Sequence, residues 1–311
     1  MRTNRWLGGG LIVLGGVIAA GAVLGPLVTG VIRYRTSDTT LNQVMGGDAA
    51  ALVVVAPLCV LVGVLAQRGH PAAPVLATAP AVYATYTYTQ LIVGQEYLRL
   101  PGNSERYFPL FLAGFVLAGA IAVVSWRAVD PDGLPPSPRW LDRLTAWVLV
   151  AVVVFLVLGQ HLPSFVDALR DTPARTEYVS SPTPFWLVKL MDLGIVVPAA
   201  IATAMGLFRG AAWARKPMYA IVGAYALIGA SVAGMGITML VNDDPDASLP
   251  VAVGFTVFAL LFAGLGVTLF RPLFRRPASI DVFGTSEPAP NGHRSDEIQR
   301  LSIAGWAREK R

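Results

Sequence analysis

Long apolar runs alternate with short polar loops along this chain as far as residue 276. Eight of the runs are long enough to cross a hydrocarbon core of roughly 30 Å as an α-helix, which takes about 20 residues. They are Gly8–Ile32, Asp48–Gln67, Pro71–Gly94, Tyr107–Trp126, Leu144–Leu162, Pro184–Phe208, Pro217–Val241 and Leu249–Phe270. A helix satisfies its own backbone hydrogen bonds, which lipid cannot do. The pattern therefore predicts an all-α integral membrane protein, a bundle of about eight transmembrane helices. The first run follows Arg2 and Arg5 but is too long for a signal peptide and lacks a small-x-small cleavage site, so it reads as a retained helix.

Charge in the loops predicts orientation. With the N-terminus cytoplasmic, the inner segments hold Arg2, Arg5, Arg68, Arg127, Arg139, Arg143, Arg209, Arg215, Lys216, Arg271, Arg275 and Arg276. The outer loops hold half as many: Arg33, Arg35, Arg99, Arg106, Arg170 and Arg175. Basic residues stay on the cytoplasmic side, and an even number of spans returns the C-terminus there. The expected location is a bacterial plasma membrane, the organism class resting only on the abundance of Ala, Val, Gly and Arg.

Composition agrees. Of 311 residues 54% are hydrophobic and 14% charged, against about 25% charged in soluble domains. The net charge of +5 sits in short loops, where it reads as a topology signal rather than a nucleic-acid surface. The single cysteine, Cys59, lies inside an apolar run and reads as a small core residue. His70 and His161 fall on opposite membrane faces, so they cannot share a haem or metal. Neither a P-loop, nor HExxH, nor Gly-x-Ser-x-Gly is present. No cofactor, metal or catalytic residue is assigned, and the reading leans away from an enzyme.

The Pro-rich loop Arg127–Arg143 divides the membrane domain, residues 1–276, into halves 1–143 and 144–276. Asp48, Pro57, Gly63 and Arg68 recur as Asp192, Pro198, Gly206 and Arg209, at offsets of 144, 141, 143 and 141. This suggests a 4+4 parallel repeat, as some transporters have; coincidence in an apolar sequence is the alternative. Residues 277–311 form a cytoplasmic tail, flexible, with either disorder or a short amphipathic helix over 295–309.

Ionisable and polar groups within the hydrocarbon are costly and start as candidates. Lys189 and Asp192 lie inside the sixth span, three apart, where they can pair with each other. Asp48 opens the second span, where an acid suits a helix N-terminus. The third span carries Tyr83, Thr87 and Gln90 on one face, which should point into the bundle or a wet cavity rather than to lipid. The loop after it, with Glu96, reads as ordered and held by ion pairs. Pro57, Pro80 and Pro198 should kink their spans.

These residues (Asp48, Tyr83, Thr87, Gln90, Glu96, Lys189 and Asp192) are the expected binding set for a small polar or amphipathic solute. The corresponding function is transporter-like, with a cavity open to the outside. A non-catalytic scaffold or accessory subunit is the alternative, with a protein partner held through the tail or an apolar helix face. A third reading is a transferase acting on a lipid-linked substrate through Asp243, Asp244 or Asp246, a cluster that resembles cation-binding acidic groups of lipid-linked glycosyltransferases. Membrane lipids are expected partners and nucleic acid is not.

Overall fold

The computed structural model describes residues 2–173 and 176–274; the tail helix expected over 295–309 lies outside them. Among the described residues are eight long helices, one short helix and no strand. The long helices are α1 (Arg2–Leu24), α2 (Asp38–Gln67), α3 (Ala73–Val93), α4 (Ser104–Ala128), α5 (Arg139–Ala168), α6 (Pro182–Phe208), α7 (Ala212–Val241) and α8 (Leu249–Phe270). Seven of them are long and apolar enough to cross a membrane. The exception, α3, has 21 residues, but its Tyr, Thr and Gln side chains make it the least apolar. The architecture is that of a helical membrane bundle.

Helix α2 starts at Asp38, well before the apolar run, so Asp48 lies inside the helix rather than at its opening. Ser37 caps the end through its side-chain oxygen, which accepts from the Thr40 N–H, and Asp38 occupies the first turn. The polar Thr, Asn and Gln residues that follow look like a loop in sequence. Here they face α7: Asn42 reaches Asp244 and its carbonyl accepts from Thr238. The two helices come so close that a Cβ on Gly46 would strike the Gly234 carbonyl.

Three of the spans contain a π turn, and each is followed two residues later by a proline. The turns are Ala51–Val55 before Pro57, Phe155–His161 before Pro163, and Asp192–Val196 before Pro198. A proline within a helix lacks an N–H and clashes with the carbonyl four residues back. A local widening to i→i+5 bonding relieves both problems. Pro80 is inside α3 without such a turn.

Some helix pairings recur in the two halves. Helix α1 lies on α2 and α5 on α6; α3 lies on α4 and α7 on α8. Between the halves α3 packs on α7, α2 on α7, and α6 on α3. There are two hydrophobic cores, one drawn almost wholly from α1–α4 and one from α5–α8. The turns after α2 and α6 match bond for bond. In the first, Arg68, Gly69, His70 and Ala73 donate to the carbonyls of Val64, Ala66, Leu65 and His70. In the second, Arg209, Gly210, Ala211 and Ala214 donate to Met205, Leu207, Gly206 and Ala211. Every partner is displaced by 141 positions, as from Gly69 to Gly210. Both glycines adopt positive φ, 72° and 69°, a conformation glycine takes without steric cost. The π turns of α2 and α6 and their prolines keep the same offset.

The helix N-caps Ser37 and Ser181 stand 144 apart, and their hydroxyls bond at 3.0 Å. The difference arises before the π turns, where α2 has 13 residues and α6 has 10. Counted from the caps, Asp48 matches Asp192; counted from the π turns, it matches Lys189.

Candidate functional site

The π turns of α5 and α6 touch. The last residue of one is His161 and the first of the other is Asp192. His161 Nε2 lies 2.9 Å from Asp192 Oδ2, and the Tyr86 hydroxyl of α3 donates to Oδ1 at 2.9 Å. Three helices thus converge on one carboxylate. Both members of the pair are buried, His161 at 2% and Asp192 at 8% exposure. A carboxylate at this depth needs such partners, because an isolated buried charge is expensive. Tyr225 of α7 adds a buried hydroxyl in the field of Asp192, with no hydrogen-bond partner among the described residues.

Lys189 stands one turn before Asp192. Its Nζ donates to Ser164 Oγ of α5 at 2.8 Å and sits 3.4 Å from the centre of the Phe185 ring. Ser164 in turn donates to the carbonyls of Gln160 and His161. The expected Lys189–Asp192 pair is therefore replaced by bonds across helices. An α-helical spacing of three does place the two on one face. The neighbouring helix, however, offers each a better-placed partner.

The other expected residues divide between this cluster and a second one. Gln90 flanks Tyr86 and so belongs with Asp192. Tyr83 turns toward α7, where its hydroxyl bonds Ser231 Oγ at 2.7 Å, with Thr87 beside it. Asp48 lies near Tyr34, Tyr83 and Tyr88, and its Oδ2 is buried without a hydrogen-bond partner among the described residues. Burial first, and the Asp48 charge second, push the Tyr34 hydroxyl to a higher pKa. The α3 face expected to point inward does so, and it links the two clusters.

Glu96 has a different task. Its Oε1 accepts the Thr183 N–H at 2.7 Å, capping α6, and Arg99 lies 3.5 Å away. The loop around it carries the expected ion pairs. Arg35 from the α1–α2 segment grips Glu105 with two nitrogens, at 2.6 and 2.9 Å. In the α7–α8 loop, Asp244 is nearly buried and accepts from Thr39 and Asn42. That is turn and docking chemistry.

His161, Tyr86 and Ser164 were not singled out from sequence as binding residues. His161 reads there as the end of a span. The usable signal is Pro163, which follows a π turn ending at that histidine, just as Pro198 follows one beginning at Asp192.

No family model, curated protein or solved structure matches this chain.

Proposed function

We propose that this is a transporter-like protein of a bacterial plasma membrane, with both termini cytoplasmic. On this reading α3 is the eighth span and the two halves form a 4+4 parallel repeat. The shared 141-residue register of turns, prolines and π turns supports the repeat. The two separate cores support it as well. A small polar or amphipathic solute binds beside Asp192, and its movement is coupled to a proton held by Asp192 and His161.

The observation that carries the reading is the Asp192 carboxylate, buried in the bundle between an imidazole and a phenol from two other helices. Buried ionisable groups in membrane helices characteristically mark ion and proton pathways. A carboxylate–imidazole pair can hold one proton between Nε2 and Oδ2 and accept a second. Protonation of the Asp192 carboxylate itself removes the negative charge that draws the imidazole and so loosens the tie between α5 and α6. π turns, which recur at functional sites, give both helices a point at which to shift.

Thermal unfolding of the purified protein against a panel of organic acids, amino acids, sugars and amphipathic amines tests solute binding. At least one solute should stabilise the native protein and fail to stabilise Asp192→Asn. A solute that stabilises both equally would place binding elsewhere.

A second reading, a membrane scaffold, is favoured by α8. This helix is the least buried of the spans and exposes Leu260, Leu261 and Val267. An apolar cleft of about 640 Å³ separates it from α5. If a protein partner covers that face, a stable complex should survive mild detergent, and Leu261→Arg should disrupt it.

A further inference from the structure

Helix α1 ends at Leu24, and Pro26 follows. A proline has no N–H, so the Ala22 carbonyl loses the donor expected four residues on. The turn beyond the helix does not replace it. Gly25, Thr29, Gly30 and Ile32 donate to the carbonyls of Gly21, Val23, Gly25 and Leu24, and none donates to Ala22. Ala22 is buried, at 2% exposure. An unpaired carbonyl in such a place is costly, and a helix C-terminus gathers partial negative charge.

The Asp48 carboxylate of α2 stands against this end of α1. Its Oδ2 is buried without a hydrogen-bond partner, and no ion pair among the described residues includes Asp48. The titratable groups in its field are phenols: Tyr34 and, from α3, Tyr83 and Tyr88. Gly25 marks the meeting point. A Cβ there would stand 2.7 Å from Asp48 Oδ2, 3.1 Å from the Gly21 carbonyl oxygen and 3.5 Å from that of Ala22. Three oxygens, one of them charged and none of them a donor, border one small space. Asp192 meets the same difficulty with an imidazole and a phenol; Asp48 has neither.

Acceptors without donors call for a cation. Hard cations take oxygen ligands, and carbonyls freed where a membrane helix breaks serve as ligands for Na+. One carboxylate balances one positive charge, and among the described residues no group of three His, Cys, Asp or Glu side chains could hold a metal. The charge therefore suits a monovalent ion, and the close approach at Gly25 suits a small one. We propose that Asp48 Oδ2 and the carbonyls of Gly21 and Ala22 form a binding site for Na+, which ties the end of α1 to α2. The site is separate from the Asp192 cluster and does not depend on solute binding there. Within the transport reading it supplies a second coupling ion, and it moves Asp48 from the solute-binding set to an ion-binding one.

Thermal unfolding of the purified protein in detergent reads the site without a transport assay. NaCl should raise the unfolding temperature saturably, where KCl and choline chloride at equal ionic strength do not. Asp48→Asn, which keeps the volume of the side chain, should abolish that difference. Pro26→Ala, which returns an N–H to the Ala22 carbonyl, should raise the Na+ concentration at half effect at least tenfold. It leaves the carboxylate in place, so the test stays decisive if Asp48→Asn fails to fold. Equilibrium binding of radioactive sodium should be saturable in the native protein and absent in Asp48→Asn. Equal unfolding temperatures in the three salts, or Na+ stabilisation retained in Asp48→Asn, would overturn the proposal. So would stabilisation by acid alone that Asp48→Asn removes, since the carboxyl would then carry a proton in place of the ion. Sodium binding in a native protein that moves no solute would uphold the site and sink the transport reading alone.

Discussion

Asp192 draws its place in the bundle from its two partners. Removing one leaves a buried carboxylate partly stranded, and breaking a buried pair in this way costs about 3 kcal/mol. His161→Ala should therefore lower the unfolding temperature markedly in detergent, whereas His161→Gln, which keeps a donor, should lower it less. Equal losses would mean that the imidazole only fills space. Tyr86→Phe removes one hydrogen bond and should cost about 1 kcal/mol. Much of this was within reach of the sequence. Asp192, Lys189 and the inward face of Tyr83, Thr87 and Gln90 stand out as polar groups in apolar runs. What a linear reading misses is which helix supplies each partner. The choice of His161 over Lys189 as the mate of Asp192 is made between helices 31 residues apart in sequence, and periodicity within one helix carries no information about it.

Prolines shape the helices on which the site sits. Pro198 and Pro163 each follow, by two residues, the π turn that carries Asp192 or His161. If Pro198→Ala lets the turn relax to regular α-helix, every residue on one side of it rotates by about one helical position, roughly 100°. Asp192 then swings off His161. Pro198→Ala should thus impair function nearly as much as Asp192→Asn, although Pro198 carries no polar side chain. Unchanged activity, with the His161–Asp192 bond retained in a structure of the variant, would show that the turn has another cause. The sequence exposes the prolines but leaves open whether a helix kinks, widens or tolerates them; Pro80 sits in α3 with no π turn. Helix α2 begins ahead of its apolar run for a related reason. Its first turns are polar because they face α7 and the Asp244 loop rather than solvent, and no hydropathy pattern distinguishes those two surroundings. The Gly46–Gly234 contact belongs to the same interface. Gly46→Val should overpack it, costing about 1–3 kcal/mol or more, and should shift the protein toward aggregates in fluorescence-detected gel filtration.

At the scale of the whole molecule, the helical membrane bundle was legible from apolar run length alone. Span boundaries agree to within a few residues for α3, α4, α6 and α8; α1 starts earlier and stops at Leu24 rather than Ile32, α2 and α7 start earlier, and α5 extends beyond the expected run at both ends. The proposed repeat is only partly legible in sequence. Asp48 and Asp192 keep the 144 offset of the caps, and Pro57 and Pro198 the 141 offset of the π turns, because α2 carries three residues more than α6 ahead of its π turn. Gly63 and Gly206, at 143, fit neither register, since Gly206 stands opposite Leu65. Orientation is open to a direct check. On a Cys59→Ala background, single cysteines at Asp132 and Ala211 should react with a membrane-impermeant maleimide only from the cytoplasmic side. Cysteines at Gly102 and Asp246 should react only from outside. The reverse pattern would invert the topology and put the Asp192 cluster in the inner half of the membrane.

Proton coupling through the Asp192–His161 pair is the central claim, and solute-driven proton flux tests it most directly. The protein is reconstituted into liposomes that contain a pH-sensitive dye, and a solute that stabilises the native fold is added on one side. Native protein should acidify or alkalise the lumen in proportion to solute added. Asp192→Asn should abolish the flux, and His161→Gln should reduce it at least tenfold while solute binding persists. Flux of native size in Asp192→Asn protein, or solute movement with no proton movement in the native protein, would contradict it.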